Sequence, residues 1–90
     1  MTFEIRNGNI LIPIKSVHIT LTPEDGYYFI HKVSIEADLP RNTLALAERS
    51  ALELFAGKIY EYKTDWESEL STDIEREIGL IDYDYDIEDG

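Results

Sequence analysis

The residues best placed to act together are four carboxylates in the segment IDYDYDIEDG, residues 81–90. Asp82, Asp84, Asp86 and Glu88 alternate there with isoleucine and tyrosine. In an extended strand, side chains two positions apart point the same way and lie ~6.6 Å apart. The pattern therefore predicts a row of negative charges on one side of the segment and an apolar stripe on the other.

Aspartates at alternate positions raise the question of a calcium site. An EF-hand loop requires a glycine at its sixth position. Counted from Asp82, the sixth residue here is Ile87, and carboxylates spaced along a strand are too far apart to enclose one ion. We expect weak, nonspecific cation binding at most, with no specific metal or cofactor site.

The remaining side chains do not suggest catalysis. Cysteine is absent, so a disulfide, a thiolate zinc site and a cysteine nucleophile are excluded. There is no HExxH motif, no glycine-rich phosphate loop and no Ser-His-Asp ordering. The strand pattern places His18 on a polar face and His31 on an apolar one, so they should not form a joint site. We predict that the protein is not an enzyme.

The negative charge is unevenly distributed along the chain. Residues 1–45 contain five acids and four bases, whereas residues 46–90 contain fourteen acids and four bases. Of the total net charge of −11, nearly all therefore belongs to the second half. A strong negative field is expected on the face that this half occupies.

Such a field restricts the classes of partner. It repels nucleic-acid phosphates, since nucleic-acid binders use lysine and arginine to displace counterions, and it repels anionic membrane surfaces. We therefore expect neither direct nucleic-acid binding nor membrane binding. A basic protein that itself binds nucleic acid is the expected partner, and the sequence leaves homodimer formation open.

The predicted partner-binding surface combines the C-terminal carboxylates with a second row from the preceding helix. Carboxylates repeating along a strand have a spacing close to that of successive phosphates. Tyrosines would add anchors, because aromatic side chains concentrate interface energy, and Tyr60 and Tyr62 are further candidates for this role. The predicted partner-binding residues are Asp82, Asp84, Asp86, Glu88, Asp89, Glu67, Glu69, Asp73, Glu75, Glu77, Tyr83 and Tyr85.

Two simpler interpretations compete with this one. In the first, the acidic end is a frayed terminus, but disordered acidic tails are usually poor in large apolar residues. Alternatively, the charge serves solubility alone. A salt-loving source would also enrich acids, but over the whole surface, whereas the first half here is nearly neutral.

The first half of the chain predicts two antiparallel hairpins. The dipeptide Asn7-Gly8 suits a type I′ turn, which would pair Ile5 with Ile10. After the alternating run SVHITLT, the stretch PEDG supplies a second turn, and a three-residue loop would place Ile19 opposite His31. Both hairpins would expose one apolar face to a core.

The segment 38–79 predicts helices. Asp38 or Asn42 is suited to cap the run TLALAERSALELFAG, and Gly57 to end it. A second apolar repeat recurs every four residues from Trp66 to Ile78, but Glu67 and Glu77 fall inside its apolar arc. This conflict predicts a break near Ser71–Asp73.

The predicted fold is α+β, with a small antiparallel sheet of two hairpins packed against one long helix and one shorter or broken helix. The final extended segment would either add to the sheet edge or lie across the helices. The 90 residues would form a single domain of hairpins (1–37), a helical part (38–79) and an acidic extended tail (80–90). The first residues do not have the basic stretch followed by an apolar stretch that is typical of a signal peptide. No run of about eighteen apolar residues, as a membrane span would need, occurs. We expect a cytoplasmic protein.

In size, charge and lack of catalytic motifs, the chain resembles the small acidic inhibitors that phages make against host defences, such as anti-CRISPR and anti-restriction proteins. The resemblance implies a non-catalytic inhibitor that mimics DNA or RNA. Two alternatives remain: an immunity protein or antitoxin against a basic nuclease toxin, and an assembly subunit that adds a strand edge to a neighbour.

Overall fold

A computed structural model describes residues 5–7, 10–79 and 82–88. These residues form six strands and two helices. In chain order the elements are β1 (Ile5–Asn7), β2 (Ile10–Ile12), β3 (Ser16–Glu24), β4 (Tyr27–Glu36), α1 (Arg41–Leu54), β5 (Ile59–Glu61), α2 (Trp66–Ile78) and β6 (Asp84–Ile87).

The main sheet has four strands in the order β5-β4-β3-β6. The predicted α+β class is confirmed, but the prediction of a wholly antiparallel sheet is wrong, because β6 runs parallel to β3. The chain makes a long crossover through both helices before it returns beside β3, which a parallel pair requires. The β1–β2 hairpin forms a separate two-stranded sheet.

The first hairpin differs from its predicted register. Ile5 pairs with Ile12, and Asn7, which was predicted to lie in the turn, pairs with Ile10. Ile5 is buried in the core, whereas Ile10 is 63% exposed. The hairpin is therefore attached to the core at one end and leaves apolar surface at the other.

The second hairpin turns through two residues rather than the predicted three. Asp25 and Gly26 both have positive φ, 48° and 85°, and Glu24 pairs directly with Tyr27. Positive φ at both central positions characterises the type I′ turn, whose twist matches that of the flanking strands. An aspartate tolerates this conformation better than most residues.

A bulge in β4 further shifts the pairing of β3 with β4 away from the predicted register. Thr20 pairs with Lys32 but Leu21 pairs with Ile30, so His31 is the extra residue. A bulge shifts the alternation by one position, and Ile30 and Val33 are consequently both buried although they are three residues apart. The prediction that His31 lies on the apolar face is wrong, since it is exposed.

Helix α1 begins after Pro40, and neither predicted cap acts as one. The N-cap position has no side-chain hydrogen bond, and Asn42 Oδ1 accepts from the backbone N–H of its neighbour Thr43 at 3.0 Å. Proline at the start of a helix is compatible with its missing N–H, because the first N–H groups have no partner within the helix.

Glu48 joins α1 to the sheet. Its Oε2 accepts a hydrogen bond from the backbone N–H of Ile35 at 2.9 Å. Ile35 lies in β4 beyond the stretch that pairs with β5, so no strand of the described residues accepts from this N–H on that side. The helix therefore supplies the acceptor that the sheet edge lacks.

Helix α2 is continuous from Trp66 to Ile78, so the predicted break is wrong. The two acids that suggested it lie at opposite ends of the helix and each has a partner: Tyr85 for Glu67 and Lys58 for Glu77. Gly79 ends the helix with φ 83°, the left-handed ending that glycine favours.

The core is one cluster to which both helices and the sheet contribute. Its buried members are Ile5, Val17, Ile19, Leu21, Ile30, Val33, Ile35, Leu44, Ala51, Phe55, Tyr60, Leu70, Ile74 and Ile78. Among the described residues, no helix is long and apolar enough to cross a membrane.

Candidate partner-binding surface

The acidic segment is positioned by parallel pairing with β3. Asp84 lies opposite His18, and Ile87 lies opposite Leu21. One residue further, the backbone N–H of Glu88 donates to the Leu21 carbonyl at 2.8 Å. Backbone hydrogen bonds along this length hold residues 84–88 in one extended conformation.

Two tyrosines attach this strand to α2. The Tyr85 hydroxyl donates to Glu67 Oε2 at 2.6 Å, and its ring meets Trp66 edge-on with a centroid distance of 5.7 Å. The Tyr83 and Ser71 hydroxyls are hydrogen-bonded at 2.8 Å. Both rings are half-buried, so their partner-binding role stays a prediction while their structural role is evident.

The row of carboxylates lies on the other side of the strand. Because Tyr83 and Tyr85 face α2, alternation directs Asp84 and Asp86 to the opposite face of the sheet. Both are exposed, as are Asp82 and Glu88, which flank the strand. The use of this row as a partner-binding surface stays a prediction. Asp89 lies outside them.

His18, whose closeness to the acidic segment was not predicted, adjoins this row. His18 Nε2 lies 3.2 Å from Asp86 Oδ1, and both side chains are accessible to solvent. His18 was correctly placed on the polar face of β3. Its neighbour was not predictable, because nothing local in the sequence indicates that residues 84–87 pair with residues 18–21.

Two of the predicted helix carboxylates form hydrogen bonds or ion pairs within the protein. Asp73 Oδ1 lies 3.6 Å from Lys58 Nζ and 3.4 Å from Arg76 Nη1, and Asp73 Oδ2 accepts from the Tyr60 hydroxyl at 2.8 Å. Glu77 Oε1 lies 3.9 Å from the same lysine. Both carboxylates are half-buried, so they are poorly placed to meet a partner.

Tyr60 is a core residue rather than an anchor for a partner. It is 2% exposed, and burial, together with the hydrogen bond to Asp73, raises the pKa of its hydroxyl well above the ordinary value. The prediction that Tyr60 contributes to an interface is therefore wrong. Its apolar ring fills the core while its hydroxyl bonds to α2.

The remaining helix carboxylates do not join the β6 row on one face. Glu69 and Glu75 are exposed on α2, which lies on the tyrosine side of β6, whereas Asp84 and Asp86 point away from it. Glu67 is adjacent to β6, but it accepts a hydrogen bond from the Tyr85 hydroxyl. The two predicted rows of carboxylates are thus divided between two sides of the sheet.

The bond to Glu67 also changes the acidity of Tyr85. The hydrogen bond to this carboxylate is the largest cause, followed by burial and by the negative charge of Glu67, and together they raise the pKa of Tyr85 to about 12. A carboxylate accepting from a phenol favours the protonated phenol. The Tyr85 hydroxyl therefore stays protonated, and able to donate to Glu67, further into the alkaline range.

The described part of the chain contains no group of three or more His, Cys, Asp or Glu side chains arranged to hold a metal ion. A cavity of about 420 Å³ is lined by Lys58, Tyr60, Asp73, Arg76 and their neighbours. Lys58, Asp73 and Arg76 form the ion pairs described above. Glu69 is a further charged residue of the lining.

Comparison with protein-family models, with curated proteins and with solved structures found no match for this chain.

Proposed function

We propose that this protein acts without catalysis, by binding the basic nucleic-acid-binding surface of a partner protein in the cytoplasm. The observation that carries the proposal is the exposed row of Asp82, Asp84, Asp86 and Glu88 on and beside an ordered strand. Surfaces that bind nucleic acid present lysine and arginine to regularly spaced phosphates. A row of carboxylates held by backbone pairing presents negative charges to such a surface as the phosphates do.

Order in this row supports binding. A flexible acidic tail would lose conformational freedom when it docks, whereas residues 84–87 are already extended by pairing with β3. The hydroxyl bonds of Tyr83 and Tyr85 to α2 fix the orientation of the strand. The carboxylates therefore keep their spacing in the free protein.

The charge of the whole molecule supports the same function. A net charge of −11 on 90 residues, concentrated in the second half, attracts a basic partner over a distance and accelerates association. This attraction weakens as salt shortens the range of the field. The exposed Glu69 and Glu75 contribute to it without belonging to the row.

In this proposal the protein is an inhibitor of the anti-CRISPR or anti-restriction kind. An immunity protein or antitoxin that blocks a basic nuclease toxin would use the same carboxylates. An assembly subunit is favoured by a different observation, the exposure of Ile10 and Leu11 on the first hairpin, and its contacts would be apolar and insensitive to salt.

The test is capture from a bacterial lysate with three immobilised proteins. The first is the wild type, and the second carries Asp82→Asn, Asp84→Asn and Asp86→Asn. The third is a control with the same change in charge, carrying Asp38→Asn, Glu53→Gln and Glu61→Gln at exposed positions away from β6. Quantitative mass spectrometry measures the proteins that each one retains.

We expect the wild type and the control to retain the same nucleic-acid-binding protein and the β6 variant to lose at least about 90% of it. Neutralising charges at the edge of an interface slows association, and removing charges that pair with the partner lowers the affinity further. Equal retention by the control and the β6 variant would contradict the proposal. Circular dichroism must show that all three proteins are folded alike.

A further inference from the structure

The outer edge of β6 is open in the part of the chain that the structure describes. β6 is the terminal strand in the order β5-β4-β3-β6, and no described strand pairs with its far side. The Glu88 N–H points to β3. Since backbone groups alternate in direction along a strand, Tyr85 and Ile87 direct their N–H and C=O groups outward.

An open edge accepts an additional strand. Unpaired N–H and C=O groups in a row are a template for an extended peptide, whose main chain then supplies much of the affinity. Tyr85 and Ile87 offer one donor and one acceptor each at this edge. No rearrangement of the sheet is needed to make them available.

The two faces of this edge specify the chemistry of the added strand. Asp84 and Asp86 are exposed on one face, whereas Tyr85 and Ile87 lie on the other, and Ile87 is 42% exposed. Opposite charges on neighbouring strands stabilise a sheet, as do paired apolar side chains. A complementary strand therefore alternates lysine or arginine with apolar residues.

We propose that the partner binds as a β-strand of alternating basic and apolar residues added to the outer edge of β6. This inference rests on the proposed function and adds to it the backbone conformation of the partner's contacting segment. A second copy of this chain is a poor occupant, because pairing β6 with itself would place carboxylates beside carboxylates.

A single substitution separates backbone pairing from side-chain contact. Ile87→Pro removes an outward N–H that β3 does not use, and proline is tolerated on edge strands when its missing N–H would face outward. Ile87→Ala shortens the same side chain but keeps the N–H. The difference between the two variants therefore reports on the backbone bond.

The probe is a short peptide of alternating lysine and valine, and the control peptide alternates lysine with proline. Both carry the same charge, but the proline peptide lacks N–H groups at every second position. Fluorescence anisotropy at low salt measures the affinity of wild type, Ile87→Ala and Ile87→Pro for both peptides.

We expect the wild type and Ile87→Ala to bind the lysine–valine peptide about tenfold more tightly than Ile87→Pro does, the range expected for one lost backbone hydrogen bond to a partner. They should also prefer it to the lysine–proline peptide by about tenfold or more. In the wild type, the Tyr85 and Ile87 amides should become protected from hydrogen exchange when the peptide binds.

Equal affinity for both peptides with no effect of Ile87→Pro would overturn the strand inference and leave the proposed function standing, because charge alone would then explain binding. Failure of the wild type to bind either peptide would also overturn it. If Ile87→Pro does not fold, the amide protection in the wild type decides: unprotected Tyr85 and Ile87 amides contradict strand addition.

Discussion

At the scale of single residues, Tyr85 connects the acidic row to the body of the protein. Its hydroxyl donates to Glu67 across 2.6 Å, and its ring contacts Trp66. On the other side of the same strand, Asp84 and Asp86 face solvent. One strand therefore separates residues that hold it in place from residues available to a partner.

The Tyr85–Glu67 bond has a definite pH dependence. The pKa of Tyr85, about 12, lies above the ordinary value of 10.0, so the folded state binds the hydroxyl proton more tightly than the unfolded state does. The stabilisation is fully present below pH ~10 and is lost as pH rises through about 12. The attachment of β6 to α2 should weaken in this window.

Glu67→Gln should lower the pKa of Tyr85 towards the ordinary value, because the amide accepts a hydrogen bond without contributing a negative charge. Glu69→Gln is the control, since it neutralises an exposed carboxylate on the same helix that does not bond to Tyr85. The ring resonances of Tyr85, followed by NMR as pH rises, measure the effect. An identical pKa in the two variants would contradict this account.

The sequence predicts only part of this site. Alternation in residues 81–88 indicated a strand with acids on one side and aromatic residues on the other, because that pattern is local. It did not separate exposed Glu69 from half-buried Asp73, because both lie on α2. Asp73 differs by its contacts with Lys58 and Tyr60, which depend on where β5 lies relative to α2.

At the scale of elements, the bulge in β4 sets the register of the sheet. His31 is the extra residue between two regular stretches of pairing with β3. Its insertion allows Ile30 and Val33 to face the same core. The change of phase is visible in the sequence YYFIHKVSIE, but a pattern of apolar residues alone does not say whether a longer turn or a bulge absorbs it.

Deleting His31 should therefore leave the fold intact. Ile30 and Val33 would then be two positions apart and alternate regularly, so the buried set is preserved. We expect a cooperative melting transition within about 5 °C of the wild type, equivalent to about 1 kcal/mol for a domain of this size. Thermal unfolding followed by circular dichroism measures it.

Deleting Ser34 is the matched control in the same strand. It brings Val33 next to Ile35, so that one of two buried side chains must face solvent. This variant should lose its cooperative transition or melt far lower than the wild type. If the His31 deletion is damaged as severely as the Ser34 deletion, the bulge is not the device that fixes register.

The fold class was predictable from local patterns, whereas the arrangement of β6 was not. Apolar periods of two and of about 3.6 residues located the strands and helices. The parallel pairing of β6 with β3 depends on contacts between residues more than 60 positions apart in sequence. A local pattern carries no information about such pairing.

At the scale of the whole molecule, charge and topology act together. The crossover through α1 and α2 returns the acidic C-terminal part of the chain to one edge of the sheet, and β5, at the other edge, has only Glu61 as a charged residue. Under the proposed function, a basic partner would be attracted to the molecule as a whole and would dock at the β6 edge.

Competition by nucleic acid tests the central claim most directly. A protein captured from lysate by the wild type is challenged with short DNA and RNA duplexes at low salt, and separately with high salt. Mass spectrometry and immunoblotting quantify what each treatment releases. We predict that a nucleic-acid-binding protein is released by nucleic acid and by salt, because phosphates and carboxylates occupy the same basic surface. Retention of the captured protein under both treatments would contradict the claim and favour an apolar assembly contact.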